Sequence, residues 1–212
     1  MTIYHVIGFI IGVITAQIIL YYMKNKPKEK EEGYNGESED FFQFNKKIVI
    51  RREDGSPYLY RRTLIGIGQW FSIKLHQILI SDDACMHCHP WSFLTFILKG
   101  GYYEWTPIEQ KEGGKILEKR IGVDGNEEVK RWHGAGRIMY RPAHWKHKLE
   151  LKINEPLFRV RENNGNMFIN ETPSKTIRAH TLVFTFKVCR EWGFYTKNGW
   201  IFWKNYESKR DC

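Results

Sequence analysis

Between Met1 and Met23 the chain has not one Lys, Arg, Asp or Glu. A stretch so poor in charge is not the surface of a soluble domain, where charged side chains collect. Cysteine is scarce too, at four residues. Cys85, Cys88, Cys189 and Cys212 do not have the pattern of a disulfide-stapled scaffold and suit a reducing compartment, with Cys212 at a frayed end. Cys85 and Cys88 form one C-x-x-C, and no second exists to complete a four-thiolate zinc site. Also lacking are a glycine-rich phosphate loop with its lysine and a G-x-S-x-G elbow, which excludes P-loop nucleotide chemistry and α/β-hydrolase chemistry. No long helical period appears after residue 40, so a helix bundle is not expected.

What is present begins with IYHVIGFIIGVITAQIILYYM, Ile3 to Met23. About 20 apolar residues at about 1.5 Å each cross a hydrocarbon core of about 30 Å, so residues 1–23 are expected to form one transmembrane anchor. Tyr4 and Tyr21-Tyr22 suit the two interfaces. No positive segment precedes the run, and Lys24, Lys26, Lys28 and Lys30 follow it. The positive-inside rule therefore predicts a single-pass membrane protein with its folded domain in the cytosol. Residues 24–40 hold those four lysines and six acids with no apolar period, and read as a polar tether. Asn170-Glu171-Thr172 is a glycosylation sequon, and the cytosolic assignment predicts no glycan on it.

Residues 41–212 are read as one domain. They carry 29 basic and 18 acidic residues (33 less four and 24 less six). A basic body favours anionic partners. Its basic pairs, such as Arg51-Arg52 and Arg61-Arg62, are scattered and no nucleic-acid motif gathers them, so nucleic acid is not an expected partner. Aromatics at 15% and 25 Gly plus Pro residues (18 and 7) suit strands and turns. Strand-like runs at 41–52, 70–80, 91–98, 115–123, 137–141, 147–153, 157–161 and 181–188 alternate with turn signals such as Asp54-Gly55 and Asn163-Asn164-Gly165. The fold class is all-β, a sandwich or barrel.

His87 and His89 are two apart at the entry to an apolar strand, where residues i and i+2 share a face and both imidazoles can converge. The stretch HCHPWSFLTFILKGGYYEW runs from His87 to Trp105, and GRIMYRPAHWKH from Gly136 to His147. Together they resemble the two cupin motifs. The second His of the first motif is followed eleven residues on by a glycine, here Gly100. In the second motif Gly136, Pro142 and His147 keep the family spacing. H-x-H-P-W…G-G-Y-x-E, with Arg190-Glu191-Trp192-Gly193-Phe194, further resembles cupin-like proteins of phages and other microbes.

The resemblance implies a double-stranded β-helix, or jelly-roll, barrel holding one divalent metal on His87, His89 and His147. The family's metal-binding Glu slot falls at Phe93 or Leu94, neither of which binds metal. Glu104, past the Gly100-Gly101 turn, and His144 are the candidate fourth ligands. Trp91, Phe93, Phe96, Tyr102 and Trp105 are candidates for an apolar pocket wall, and Arg190 for a substrate clamp. His76 is a further candidate for the cavity, more in keeping with a structural role. Three neutral imidazoles suit Fe(II) first, with Zn, Ni, Cu or Mn as alternatives. A three-histidine cupin site is similar to that of the thiol dioxygenases, which implies an Fe(II) dioxygenase acting on a small molecule. The other readings are a non-catalytic ligand-binding or sensor module at the membrane and a sugar isomerase or epimerase. The resemblance also allows a homodimer.

Overall fold

A computed structural model of the chain describes residues 41–52, 54–154, 157–163, 166–172 and 175–212. The anchor expected at 1–23 and the tether expected at 24–40 lie outside the described residues. Among the described residues no helix is long and apolar enough to cross a membrane.

The all-β expectation agrees with the structure. A six-stranded antiparallel sheet runs in the spatial order β1 (Phe42–Arg51), β2 (Pro57–Ile67), β3 (Phe71–Ile78), β15 (Ala179–Val188), β5 (Trp91–Lys99) and β9 (Ile138–Arg141). A four-stranded sheet has the order β10 (Lys148–Leu151), β6 (Gly101–Pro107), β8 (Glu127–Gly134) and β7 (Glu118–Ile121). A three-stranded sheet joins β17 (Gly199–Phe202), β16 (Gly193–Thr196) and β4 (Met86–His87). Two small ladders pair β11 (Ile153–Asn154) with β14 (Lys175–Thr176) and β12 (Leu157–Asn163) with β13 (Asn166–Thr172). After β17 the chain makes a 3₁₀ turn at Trp203–Asn205 and one helical turn, α1, at Ser208–Asp211. The insertion of the late strand β15 between β3 and β5 is the kind of non-local pairing that closes a jelly roll.

The core joins the two larger sheets. Ile48, Ile50, Leu59, Ile78, Ile97, Met139 and Ala179 from the first pack with Tyr102 and Leu151 from the second. Period-two alternation accounts for this, since Ile48 and Ile50, like Phe93, Thr95 and Ile97, are buried while their neighbours are not. Strand β2 was not among the sequence expectations. Its apolar alternation is broken by Arg61, which faces inward to the cavity described below. Pro57 sits at its first position, where a missing N–H does least harm.

The β5–β6 turn depends on Gly100, whose φ of 73° is costly for any other residue. A Cβ there would also collide with the carbonyl of Arg178. This turn folds β6 back so that Glu104 lies opposite Leu149 of β10 and Arg131 of β8.

One expectation fails at the opposite end of the domain. Cys85 and Cys212, expected to be reduced, form a disulfide across a sequence separation of 127. Cys88 and Cys189 stay free. Two aromatic stacks draw the tail inward, Phe194 on Tyr206 with ring centroids 3.6 Å apart and Trp192 on Trp203 at 5.6 Å. Together they bring Cys212 back to the strand that carries His87.

Candidate metal centre

The three histidines of the two motifs meet. His87, the last residue of β4, and His147, just before β10, are backbone partners in an isolated antiparallel bridge. Each donates its N–H to the other's carbonyl, at 2.8 and 3.0 Å. His89 follows in extended chain and is fixed by its own N–H bond to Ala143 O at 3.1 Å. The ring centroids form a near-equilateral triangle with sides of 4.8, 5.0 and 5.1 Å. One nitrogen from each ring lies within 4.8 Å of the others. The His89 and His147 Nε2 atoms are 2.8 Å apart. Two ligands at right angles on one ion, with metal–nitrogen bonds of about 2.05 Å, would stand about 2.9 Å apart. The donor set therefore fits one divalent ion with open sides.

Behind the rings are carboxylates. His147 Nδ1 donates to Glu104 Oε1 at 2.7 Å, which turns its Nε2 lone pair toward the other histidines. Glu104 is 2% exposed. Burial by itself would raise its carboxyl pKa. The neighbouring His133 ring, the hydrogen bond with His147 and the Arg141 charge outweigh burial and hold it well below the usual range. Arg141 reaches both Glu104 oxygens, Trp145 Nε1 donates to Oε1 at 3.2 Å, and His133 Nε2 lies 3.0 Å from Oε2. Arg141 also donates to Glu112 at 2.7 Å. Asp82 backs the other motif, with Oδ2 3.8 Å from His87 Nδ1. Asp82 is itself held by the Tyr58 hydroxyl and by the Leu149 N–H.

Three expected site residues are placed elsewhere. Glu104, the expected substitute fourth ligand, is turned to the far side of the His147 ring and orients it. His144 is exposed in the turn after Pro142, so it does not face the histidine cluster. Arg190 does not line the cavity; its Nε donates to the Glu191 carbonyl. Cys88 points away from its histidine neighbours, with Sγ 3.6 Å from Gly193 O.

A cavity of about 200 Å³ opens beside the histidines. Trp91, Phe93 and Tyr102 line it, and His76 lines it too. Phe93 stands 4.8 Å from the His89 ring, and Phe194 5.9 Å from that of His87. Phe96 and Trp105 do not reach the cavity. Trp105 is buried instead beneath Arg120, 3.7 Å from its ring, and donates to Glu150. Asp82, His133, Arg141 and Glu112 had no signal in the sequence, because each acts through a partner far along the chain.

Burial lowers the His87 pKa to about 4 despite the opposing charge of Asp82. Burial, then the charges of His87 and His147, hold His89 well below its ordinary value. Both are neutral at pH 7, the form that ligates metal. The unfolded chain protonates His87 near pH 6.5, the folded one only near 4. Between those values the unfolded state binds more protons, so stability is full above about pH 6.5 and falls as pH drops toward about 4. For His87 alone the loss is about 3 kcal/mol. The melting temperature of metal-free protein is expected to fall steadily from pH 7 to pH 4.5, and His87→Gln to flatten that slope. A level melting temperature across the window would contradict a neutral, buried His87.

No protein-family model matches the chain, and no curated protein matches it. Solved structures similar to it include an RmlC-like cupin protein from Ralstonia eutropha, at 10% identity and TM-score 0.37, covering 82% of this chain and 81% of that one. Another is Fe(II) HppE, at 11% identity and TM-score 0.39, covering 76% of this chain and 66% of that one. A third is the polyketide cyclase RemF from Streptomyces resistomycificus, at 13% identity and TM-score 0.34, covering 60% and 64%. The chain spans just under two thirds of the length of the last two.

Proposed function

We propose that the domain is a mononuclear metal-binding barrel of the cupin type that oxidises a small molecule with O₂, using Fe(II) held by His87, His89 and His147. The observation that carries this reading is the convergence of three imidazoles, one of them backed by a buried carboxylate, on the wall of a small cavity. Metal-bound histidine commonly donates its second nitrogen to a carboxylate, and Glu104 stands ready to accept from His147 in that way. Bound there, Fe(II) would supply an open-sided centre at which O₂ and substrate meet. Phe93 and Phe194 keep water from the histidine face, and Tyr102 closes the wall toward Glu104. Burial, then the Glu104 charge, raises the Tyr102 phenol pKa, so Tyr102 stays a neutral hydroxyl. The apolar run at 3–23 would hold this domain at a membrane.

The test is metal content of full-length protein purified in mild detergent without added metal or chelator. About one equivalent of iron is expected, with none in His87→Ala or His147→Ala. O₂ uptake should appear with a substrate in the iron-loaded protein alone. Zinc or nickel at one equivalent would keep the site and turn the function toward hydrolysis or isomerisation. A folded wild type that takes up no metal on reconstitution would sink the proposal and favour a binding module.

A further inference from the structure

The six-stranded sheet has two faces. Arg61, Lys74, Thr95, Thr181 and Val183 line the cavity on one of them. With a side-chain period of two, their neighbours along each strand point the other way, away from the histidines. The registers align these outward residues in rows across all six strands. One row runs Lys47, Arg62, Leu75, Leu182, Phe96, Ile138. The row beside it is apolar throughout, from Phe44 and Ile65 by way of Phe184 to Tyr140. Phe186 adjoins its end, with its ring 6.4 Å from that of Tyr140. Ile138 is 61% exposed and Tyr140 56%, and Tyr60, Leu98 and Phe186 are exposed as well. Six strands about 4.8 Å apart make this surface about 24 Å wide, and apolar patches of such extent mark docking surfaces.

Charge narrows what can cover it. The six strands contain nine Lys and Arg and not one Asp or Glu. Lys47 and Arg62, both exposed, line one groove with Leu75 and Leu98, so cations and apolar side chains share the surface. A second copy seated here would set one acid-free, basic sheet against another, and like charges in apposition oppose docking. A bilayer containing anionic lipid matches both features, since apolar side chains enter the headgroup–acyl boundary while Lys and Arg meet lipid phosphates. Tyrosines suit that boundary, with an apolar ring and a polar tip. The entry of the chain points the same way. Residues 24–40, as a flexible polar chain, would reach about 23 Å on average. They deliver Phe41 to the start of β1, the outermost strand of this sheet.

We infer that the outward face of the six-stranded sheet lies on an anionic phospholipid leaflet, with Ile138, Tyr140 and Phe186 in the headgroup layer and Lys47 and Arg62 against lipid phosphates. That a bilayer is at hand rests on the anchor reading above; the apolar, acid-free character of the face does not.

The test uses full-length protein in vesicles of phosphatidylcholine with about one third phosphatidylserine, part of the lipid carrying a photoactivatable diazirine near its headgroup. After illumination and digestion, mass spectrometry maps the lipid adducts. Peptides from β9 and β15 are expected to carry about fivefold more label than the peptide of Ile121, which is 69% exposed on the other sheet. In phosphatidylcholine alone, or in the Lys47→Gln, Arg62→Gln double variant at wild-type melting temperature, that label should fall about threefold or more. Should the variant fail to fold, wild type at about 0.5 M salt carries the charge test, with the same fall expected. Equal labelling of the two sheets, or labelling indifferent to lipid charge, overturns the inference. So does a β9 that takes no label yet is shielded from hydroxyl-radical footprinting, which would put a second copy on the face. Extraction with alkaline carbonate reads the anchor separately. Charge-dependent β9 labelling in protein that carbonate strips from vesicles would keep the face and sink the anchor. Carbonate resistance without that labelling would do the reverse.

Discussion

Glu104→Leu is expected to destabilise the domain by about 3–5 kcal/mol, the cost of removing one partner from a buried ion pair. The loss is large because a single buried carboxylate serves four partners, three of them buried. It holds His147 at 2.7 Å, His133 at 3.0 Å, Trp145 at 3.2 Å and Arg141 through two nitrogens. Leucine would strand the Arg141 guanidinium, 5% exposed, with Glu112 as its remaining carboxylate. Against a total stability of about 5–15 kcal/mol for a typical domain, that is enough to unfold much of the population. Glu104→Gln keeps the shape and separates the two roles. Its amide oxygen can still accept from His147 or Arg141 although the charge is gone, so the stability loss should be smaller than for leucine, and metal affinity should drop about 10–100-fold. Chemical denaturation of both variants, with metal titration of the glutamine form, reads the two effects. Unchanged metal affinity in Glu104→Gln would mean that the carboxylate does nothing for His147 beyond packing.

Breaking the Cys85–Cys212 bond is the second large change. In the chain-entropy picture, a cross-link spanning 127 residues stabilises by about 5 kcal/mol. Cys212→Ser, or reductant on wild type, should therefore lower stability by about 3–5 kcal/mol. The melting temperature should fall by about 10 °C or more at this domain size. The Phe194–Tyr206 and Trp192–Trp203 stacks would then hold the tail without covalent help. Identical melting curves with and without reductant would show that the bond contributes nothing. The same bond bears on topology. Lysines after residue 23 argue for a cytosolic domain, whereas a persistent disulfide belongs to an oxidising compartment. Alkylation of the protein in its own membrane decides between them: two blocked thiols fit the disulfide, and four reactive ones restore the lysine-based orientation.

The strand content and the meeting of His87, His89 and His147 were legible because both rest on short-range spacing: period two in strands and fixed intervals within motifs. What the site does with carboxylates was not legible. The sequence marks Glu104 as an acid close to the motif, but the side of the imidazole it occupies depends on the β6–β10 register, a pairing between residues more than forty positions apart. His144 and Arg190 failed for a related reason, since local turns direct them out of the cavity. Strand β2 escaped notice because inward Arg61 looks like a surface residue when only its neighbours are considered. Hydrophobic pattern is a guide to packing, and it misleads where a wall is built from Arg61, Lys74 and threonines.

The disulfide has one more effect, which belongs to connectivity. Residues 85–212 with their cross-link form a closed covalent ring. His87, His89 and His147 all lie inside it, whereas Arg61 and Lys74 lie outside. A protease that cuts once in the exposed stretch 113–121 opens the ring, yet leaves His89 and His147 on one continuous covalent path through the sulfur atoms. Two cuts, or one cut and a reductant, are needed before the histidines can part company.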